Sequence, residues 1–284
     1  MTMLDAVRTR VPMDVRHRIA QLRVRARVPT GRWRRLPDLL VIGGQRCGTS
    51  TLYRHLGRHP DVAPSLRKEV EYFSRRYDRG ERWYRAHFAL EAQRHRLCFE
   101  ATPDYLFHPL AAARAATVVP EARLVVMLRD PVVRAWSHYH HMVGLGHEDL
   151  EFDAAVEAEQ GRSAGDLARL ADDPLHDPVA LLRYSYVARG RYAEQLSRWF
   201  EQFPREQLLV VRSEDLFADP RASFRRILDF AGLPPWEPDT FTNVSRPSGE
   251  RPPPIPSASR DRLTEMFELP NLELAKLLGE TPSS

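Results

Sequence analysis

The chain has 284 residues, of which 43% are hydrophobic, and a formal net charge of +4 with a pI near 9.3. This length and hydrophobic content suit one large or two small domains with a sizeable core. The positive charge is local, because residues 1–36 contain ten arginines and two aspartates, a net +8, which leaves −4 for residues 37–284. The basic pI therefore gives little support to a nucleic-acid partner for the chain as a whole.

The composition also argues against several other classes of protein. No apolar run approaches the ~20 residues that span a bilayer. The N-terminus lacks the continuous apolar segment of a secretory signal. Cys47 and Cys98 are too few for a disulfide framework or for a zinc site of their own. We therefore expect a reduced, cytoplasmic protein.

Residues 1–36 are expected to form a basic extension before the main domain, residues 37–284. Apolar residues recur there at three- and four-residue steps between arginines, which predicts an amphipathic helix interrupted near Pro12. One hypothesis is peripheral contact with an anionic membrane, on which such a helix can lie. The alternatives are packing on the main domain and partial disorder.

Three short apolar runs predict buried strands at residues 38–44, 123–128 and 207–212. Each run is apolar on both faces and is followed by a helical pattern, as in the parallel sheet of an α/β fold. The segment 150–184 is acidic and alanine-rich, and we expect a helical insertion or cap there. Residues 65–73 alternate as a short strand or turn would. Further helices are predicted over residues 49–56, 132–143, 258–267 and 271–278.

The sequence GGQRCGTSTLY follows the first predicted strand and has the parts of an anion-binding strand–loop–helix unit. Glycines allow close backbone approach, a helix N-terminus offers N–H groups, and Thr49, Ser50 and Thr51 add hydroxyl donors. Arg46 places a positive charge within the loop. The string is not a Walker A motif, because Thr49 stands where that motif has lysine. The second strand ends in Arg129 rather than in an aspartate for Mg²⁺, which disfavours a kinase.

A second candidate site lies in the string RLVVMLRDPVVRAWSHYHH. Arg129 ends the strand and can give two hydrogen bonds to a phosphate, while Ser137 adds a hydroxyl from the following helix. The spacing alone is a weak pattern, but it gains weight beside the first loop. His138 and His141 lie on the same helix without an acidic ligand nearby, so we predict no metal site.

Together the two strings resemble sulfotransferases that use 3′-phosphoadenosine 5′-phosphosulfate (PAPS), in particular heparan-sulfate-type carbohydrate sulfotransferases and their bacterial relatives. The resemblance covers about residues 38–280. It implies a P-loop-like three-layer α/β fold with a central parallel sheet flanked by helices. It also implies a set of PAPS-binding residues: Arg46, Gly48, Thr49, Ser50 and Thr51 for the 5′-phosphosulfate, Arg129 and Ser137 for the 3′-phosphate, and Ser248, Gly249 and Arg251 in a closing loop.

The resemblance further implies a catalytic carboxylate. Relatives carry a K-E-x-x-[FY]-F string with a catalytic glutamate, and Glu69 holds that position in KEVEYF. Sulfonyl transfer needs a base for the acceptor proton and positive charge near the leaving phosphate, which Glu69 and Arg46 would supply. Relatives usually have lysine where Arg46 stands. Because arginine stays protonated, Arg46 can bind the leaving oxygen but cannot serve as a proton donor, and Lys68 is a candidate substitute.

The string EATPDYLF, residues 100–107, resembles the family segment that lines the acceptor groove, so Asp104, Tyr105 and Lys68 are predicted to contact the acceptor. The predicted reaction is transfer of the sulfonyl group from PAPS to a hydroxyl or amine of a carbohydrate, or of a glycosylated lipid or metabolite. Adenosine 3′,5′-bisphosphate would be the product. Two alternatives stay open: a P-loop-type small-molecule kinase, and a non-catalytic anion-binding protein.

Overall fold

The computed structural model describes residues 13–92, 97–242 and 252–280, with side chains from residue 19 onward. Within these ranges five strands form one sheet, in which every neighbouring pair is parallel. Their order across the sheet is second, third, first, fourth, fifth. The strands are β1 (Leu39–Gly43), β2 (Val62–Pro64), β3 (Leu97–Ala101), β4 (Arg123–Leu128) and β5 (Leu208–Arg212).

Helices flank both faces of this sheet. Twelve α-helices lie in the described part of the chain, together with short 3₁₀ turns such as residues 28–33. The α-helices are α1 (Met13–Arg27), α2 (Thr49–Leu56), α3 (Tyr72–Arg75), α4 (Glu81–Arg85), α5 (Ala111–Val118), α6 (Pro131–Gly144), α7 (Phe152–Asp172), α8 (Val179–Tyr184), α9 (Tyr192–Phe200), α10 (Ser213–Ala218), α11 (Pro220–Ala231) and α12 (Ser257–Leu278).

The central strands are buried on both faces, which is why their sequences are continuously apolar. Leu40 and Ile42 of β1 join a core cluster that includes residues of α5 and α9, while Leu39 and Val41 join one that includes residues of α2 and α11. A third cluster packs α6, α7 and α12 together. The three-layer α/β fold expected from the sequence is confirmed.

Two Asp-Pro pairs begin helices beside the sheet. The Asp130 carboxylate accepts a hydrogen bond from the Val133 backbone N–H at 2.9 Å, and Asp219 accepts one from Ala222 at 3.0 Å. In each case the following proline is the first helical residue, where its missing N–H costs nothing. The Asp130 cap starts α6 directly after β4 and so fixes where the α6 side chains lie.

The structure differs from the sequence expectations in three places. Strands β2 and β3 were not predicted. Residues 65–73 form a turn that leads into α3, without a strand, so Glu69 and Glu71 do not alternate along a pleat. The predicted helices 258–267 and 271–278 are one helix, α12, with Pro270 inside it. The buried residues Phe267 and Leu274 pack on either side of this proline, and this packing holds the helix together.

The predicted N-terminal extension is described only from residue 13 onward. Its helix α1 leads into a 3₁₀ turn, and the turn contacts the main domain, where the Arg34 guanidinium donates to the Phe88 carbonyl at 2.8 Å. The segment 150–184 is helical, as expected, and contains α7 and α8. Among the described residues, no helix combines the length and the apolar character needed to cross a bilayer.

Candidate active site

The anion-binding loop and Arg129 meet at the carboxyl edge of the sheet. Strands β1 and β4 are parallel neighbours. After β1 the chain continues toward the β2 edge of the sheet, and after β4 it continues toward the β5 edge. Such a point in an open α/β sheet forms a crevice where ligands bind. The Gly44 N–H donates to the Met127 carbonyl at 2.7 Å, which holds the loop against the end of β4.

Gly48 explains why the loop needs glycine just before α2. Its φ is +93°, a conformation that L side chains rarely adopt. A Cβ there would also lie 3.2 Å from the Phe217 ring and 3.3 Å from the Met127 methyl carbon. On one side the loop therefore packs tightly against Phe217 and Met127. Its other side leads to the first N–H groups of α2, beside Thr49, Ser50 and Thr51.

Arg46, Ser137 and Arg129 are in direct contact. The Arg46 Nε donates to the Ser137 Oγ at 3.1 Å, and an Arg129 Nη donates to the Arg46 carbonyl at 3.2 Å. Arg46 itself has a left-handed backbone with a φ of 66°. Two motifs that are 91 residues apart at the Arg46–Ser137 contact thus form one site with two guanidinium groups and a hydroxyl.

Two buried hydroxyls hold this arrangement in place. Tyr192 donates to the Arg129 carbonyl at 3.0 Å, and its oxygen lies 3.8 Å from the Cys47 sulfur. Ser213, the first residue of α10, donates to the Cys47 carbonyl at 2.6 Å. Burial raises the pKa of the Cys47 thiol to about 11, so this cysteine is a packed, protonated part of the loop.

The turn that carries Glu69 is built on the end of β3. The Glu69 N–H donates to the Ala101 carbonyl at 2.9 Å, and the Arg67 guanidinium donates to the Glu69 carbonyl at 2.6 Å. The Glu69 side chain is 49% exposed and pairs with the Lys68 ammonium. Lys68 and Glu69 thus lie side by side at the surface of this turn.

Glu71 has different surroundings from Glu69, although both residues have a φ of 62°. Its side chain is only 17% exposed and pairs with Arg67 at 3.2 Å and with Arg75 at 3.5 Å. Burial raises the pKa of Glu71, an effect that Arg75 opposes. Arg75 also holds Asp177 through two hydrogen bonds, of 2.7 and 2.8 Å, which connects the 150–184 segment to this turn.

A buried carboxylate lies beneath the Glu69 turn. Glu100 is fully buried in β3 and accepts hydrogen bonds from the Tyr84, Thr102 and Tyr105 hydroxyls at 2.7 to 2.9 Å. The last two hydroxyls also hold the turn: Thr102 accepts from the Glu71 N–H at 3.3 Å, and Tyr105 accepts from the next N–H at 2.9 Å. Glu100 was not among the site residues predicted from the sequence.

This network changes the expectation for Tyr105. The residue was predicted to contact the acceptor, but it is fully buried and its hydroxyl is shared between Glu100 and the Tyr72 N–H. The structure therefore places Tyr105 under the site rather than on its surface. The neighbouring Asp104 remains partly exposed and accepts a hydrogen bond from Arg189 at 2.8 Å.

The charges of both Arg46 and Glu69 act on His141 of α6. Burial and then the Arg46 charge lower the pKa of His141, while the Glu69 charge opposes them, so both groups act on this partly buried ring. It lies four residues after Ser137, one turn further along the same face of α6. That spacing could have identified His141 from the sequence. His138 instead is fully buried, and burial lowers its pKa well below the usual value.

An apolar cavity of about 130 Å³ opens beside the loop. Thr51 and His55 of α2 line it on one side, and Phe217, Phe224 and Phe241 on the other. His55 is buried, with its Nε2 at 3.1 Å from the Thr242 carbonyl and its Nδ1 without a hydrogen-bond partner among the described residues. The cavity therefore combines aromatic walls with a buried histidine ring.

Three of the predicted nucleotide-binding residues lie outside the described residues: Ser248, Gly249 and Arg251. Their roles remain predictions. Among the residues that the structure does describe, no group of three or more His, Cys, Asp or Glu side chains could hold a metal ion. The observed site is thus a P-loop-like α/β crevice with two guanidinium groups at its edge and an accessible carboxylate beside it.

Comparisons with known proteins define the family. The family model for the sulfotransferase domain matches residues 36–246. The chain is 31% identical over 274 residues to bifunctional heparan sulfate N-deacetylase/N-sulfotransferase 3 of Homo sapiens, covering 86% of this chain and 30% of that protein. It is 34% identical over 202 residues to heparan sulfate glucosamine 3-O-sulfotransferase 3A1 of Mus musculus, covering 70% of this chain and 47% of that protein.

A solved structure agrees with these matches. The sulfotransferase from Alicyclobacillus acidocaldarius shares 30% identity with this chain and has a TM-score of 0.66, over 87% of this chain and 97% of that one. The chain belongs to the sulfotransferase domain family. This membership supports a sulfotransferase over the kinase and over the non-catalytic alternative. It spans less than half the length of the two curated relatives named above.

Proposed function

We propose that this sulfotransferase moves the sulfonyl group of PAPS to a hydroxyl or amine of a carbohydrate acceptor. Two hydrogen bonds support the proposal most directly: Arg46 contacts Ser137, and Arg129 contacts Arg46. Both lie at the carboxyl ends of the strands, beside Glu69. One small ligand with anionic groups at two ends would engage both motifs together. The 5′-phosphosulfate and 3′-phosphate of PAPS meet that requirement.

The residues of the crevice suit each part of the donor. Arg46 and the N–H groups and hydroxyls at the start of α2 would bind the 5′-phosphosulfate. Arg129 and Ser137 would bind the 3′-phosphate through charge-assisted hydrogen bonds. The aromatic cavity beside α2 would receive the adenine. PAPS supplies the sulfonyl group and leaves as adenosine 3′,5′-bisphosphate.

Glu69 is the proposed general base. Its carboxylate is accessible, and it would take the acceptor proton while the acceptor oxygen or nitrogen bonds to sulfur and the bond from sulfur to the phosphate oxygen breaks. Arg46 would stabilise the negative charge that develops on that phosphate oxygen. Because arginine keeps its proton, the leaving phosphate stays ionised and receives no proton from Arg46. Lys68 pairs with the Glu69 carboxylate and would contact the acceptor.

Two lines of support favour a carbohydrate acceptor. The relatives named above include heparan sulfate N- and O-sulfotransferases, which are similar to most of this chain. The wall beside Glu69 is also rich in charged hydrogen-bonding groups, with Asp104 on Arg189 and Asp177 on Arg75. Such groups can bind the hydroxyls of a sugar, and the 150–184 segment contributes one of them.

Calorimetry with nucleotides tests the donor site. We expect adenosine 3′,5′-bisphosphate to bind without metal, and Arg129→Ala to weaken it about 10- to 100-fold, because a hydrogen bond to a charged group is lost. Adenosine 5′-monophosphate lacks the 3′-phosphate, so its affinity should change little in that variant. Binding of ATP–Mg²⁺ with no binding of the bisphosphate would contradict the proposal. An equal loss of affinity for both adenosine nucleotides would show that Arg129 does not bind the 3′-phosphate.

A further inference from the structure

Two apolar side chains on the outward side of α1 are exposed, and no other described residue covers them. Val24 is buried against the domain, whereas Leu22 is 62% exposed and Ile19 is also exposed. Residues three apart lie on one side of a helix, and Val24 is more than a third of a turn from both of them. Ile19 and Leu22 therefore face away from the protein.

Arginines flank this apolar strip. Arg23 and Arg25 are exposed next to it, and neither makes a salt bridge with another described residue. Burial and then the Arg23 charge lower the pKa of Arg27, and Arg27 in turn contributes to a lowered pKa of Arg34. The described part of this segment thus places several arginine charges close together, and no described carboxylate pairs with Arg23 or Arg25.

The 3₁₀ turn after α1 also exposes an apolar side chain next to arginine. Trp33 is exposed, with the Arg32 guanidinium stacked 4.1 Å from its ring centre. Arg32 and Arg82 are exposed and line a surface cleft with Arg79 and Arg85. Arg79 and Arg85 have acidic partners, Asp78 and Glu81, so the net positive charge of the cleft comes from Arg32 and Arg82.

We propose that this basic face, formed by Ile19, Leu22, Arg23, Arg25, Arg32, Trp33 and Arg82, docks on an anionic lipid bilayer. The apolar side chains would enter the boundary between headgroups and acyl chains, where tryptophan is favoured, and the arginines would bind lipid phosphates. The inference goes beyond the proposed function, because it uses no residue of the crevice.

The other occupants fit this face less well. A polyanionic glycan would match the arginines but offers no apolar phase for exposed Ile19 and Leu22. A second copy docked by a two-fold axis would bring Arg23 and Arg25 close to their own copies, where like charges repel. A lipid surface satisfies both the apolar strip and its charged flanks.

Vesicle sedimentation with the full chain tests the proposal. We expect binding to phosphatidylcholine vesicles that contain phosphatidylserine, little binding to pure phosphatidylcholine, and release at high salt. The double variant Arg23→Gln/Arg25→Gln should bind about 25-fold more weakly, since each arginine near such a surface is worth about fivefold. Leu22→Asp should also weaken binding, because it removes the apolar contact.

Matched variants elsewhere in the chain serve as controls. Leu269 of α12 is 71% exposed, and Leu269→Asp should leave vesicle binding unchanged. Arg221→Gln/Arg225→Gln removes two exposed arginines of α11 and should also bind as the unmodified chain does. Nucleotide calorimetry on every variant should show unchanged affinity, which separates this test from the proposed function.

Several results would overturn the membrane proposal. They are absence of binding to the anionic vesicles, equal binding to both vesicle types, and full binding by Leu22→Asp. The last would identify a purely electrostatic surface for a polyanion. Light scattering that shows a dimer dissolved by Leu22→Asp would instead assign the face to a second copy.

Discussion

Glu69 and Glu71 are two residues apart and share the same backbone conformation, yet their side chains are placed for different tasks. The Glu69 carboxylate reaches solvent and pairs with Lys68, while the Glu71 carboxylate lies between Arg67 and Arg75. The two arginines hold Glu71 in an ion-pair network, and Glu69 is the more exposed of the two carboxylates. Glu71 is consequently the matched control for tests of the base.

The variant Glu69→Gln should lower kcat about 10²- to 10⁴-fold, because the amide cannot accept the acceptor proton. Its affinity for adenosine 3′,5′-bisphosphate should stay the same. Glu71→Gln should retain much more activity than Glu69→Gln. Steady-state kinetics on both variants measure this difference, and the reverse ranking would move the base to Glu71.

The variant Glu100→Gln should loosen the turn from below. Three hydroxyls donate to the Glu100 carboxylate, and a glutamine would turn an N–H₂ group toward at least one of them. We expect the free energy of unfolding to fall by about 1–3 kcal/mol, as for a buried polar group without a partner. Urea denaturation measures it, with Tyr84→Phe, which removes one donor only, as the milder comparison. Unchanged stability would show that the network does not hold this turn.

At the scale of elements, α6 positions the site because it starts directly after Arg129 and carries Ser137 and His141. Its cap at Asp130 has a counterpart in the Asp219 cap of α11. The two caps have the same chemistry, but only the first lies beside the crevice. Comparing variants of the two caps therefore distinguishes an effect on helix stability from an effect on the alignment of the site.

Asp130→Ala and Asp219→Ala should each lower the free energy of unfolding by about 1 kcal/mol, the usual effect of a lost N-cap. Only Asp130→Ala should also weaken bisphosphate binding, since it frees the helix end between Arg129 and Ser137. Thermal denaturation and calorimetry on the two variants give both quantities. Equal affinities in the two variants would mean that the cap does not align the site.

The strands that could be predicted from the sequence are those whose residues lie mostly in the apolar interior. Strands β1, β4 and β5 are apolar on both faces and were found, whereas β3 contains Glu100 and β2 is a three-residue edge strand that ends in Pro64. An edge strand tolerates proline, so the usual breaker misleads there. Long-range packing explains the rest: nothing local shows that α12 continues through Pro270, or that Tyr105 is turned inward toward Glu100.

For the whole molecule, buried histidines link folding to pH. Burial lowers the pKa of both His87 and His108 to about 3, far below the value of about 6.5 for an exposed histidine. Between pH ~6.5 and ~3, these two histidines therefore bind protons in the unfolded chain but not in the folded chain. Stability from these residues is full above pH ~6.5 and is lost as the pH falls through that range.

Acidification below pH ~6.5 should thus cost about 1.4 kcal/mol per pH unit for each of these histidines. His87 has no hydrogen-bond partner on either ring nitrogen among the described residues and packs on Trp83 at 4.6 Å. His87→Phe should therefore keep the ring contact and reduce the slope of stability against pH. Urea denaturation across this pH range measures the slope, and an unchanged slope would contradict the assignment.

We propose that Glu69 is the base for sulfonyl transfer from PAPS to a carbohydrate. The most direct measurement follows radioactive sulfur from PAPS into a desulfated heparan-type glycan, with the unmodified chain and Glu69→Gln compared side by side. We predict that the label moves to the glycan in the unmodified chain and stays on PAPS in the variant, while both bind adenosine 3′,5′-bisphosphate. Label that never reaches the glycan, or that reaches it equally in both, would contradict this account.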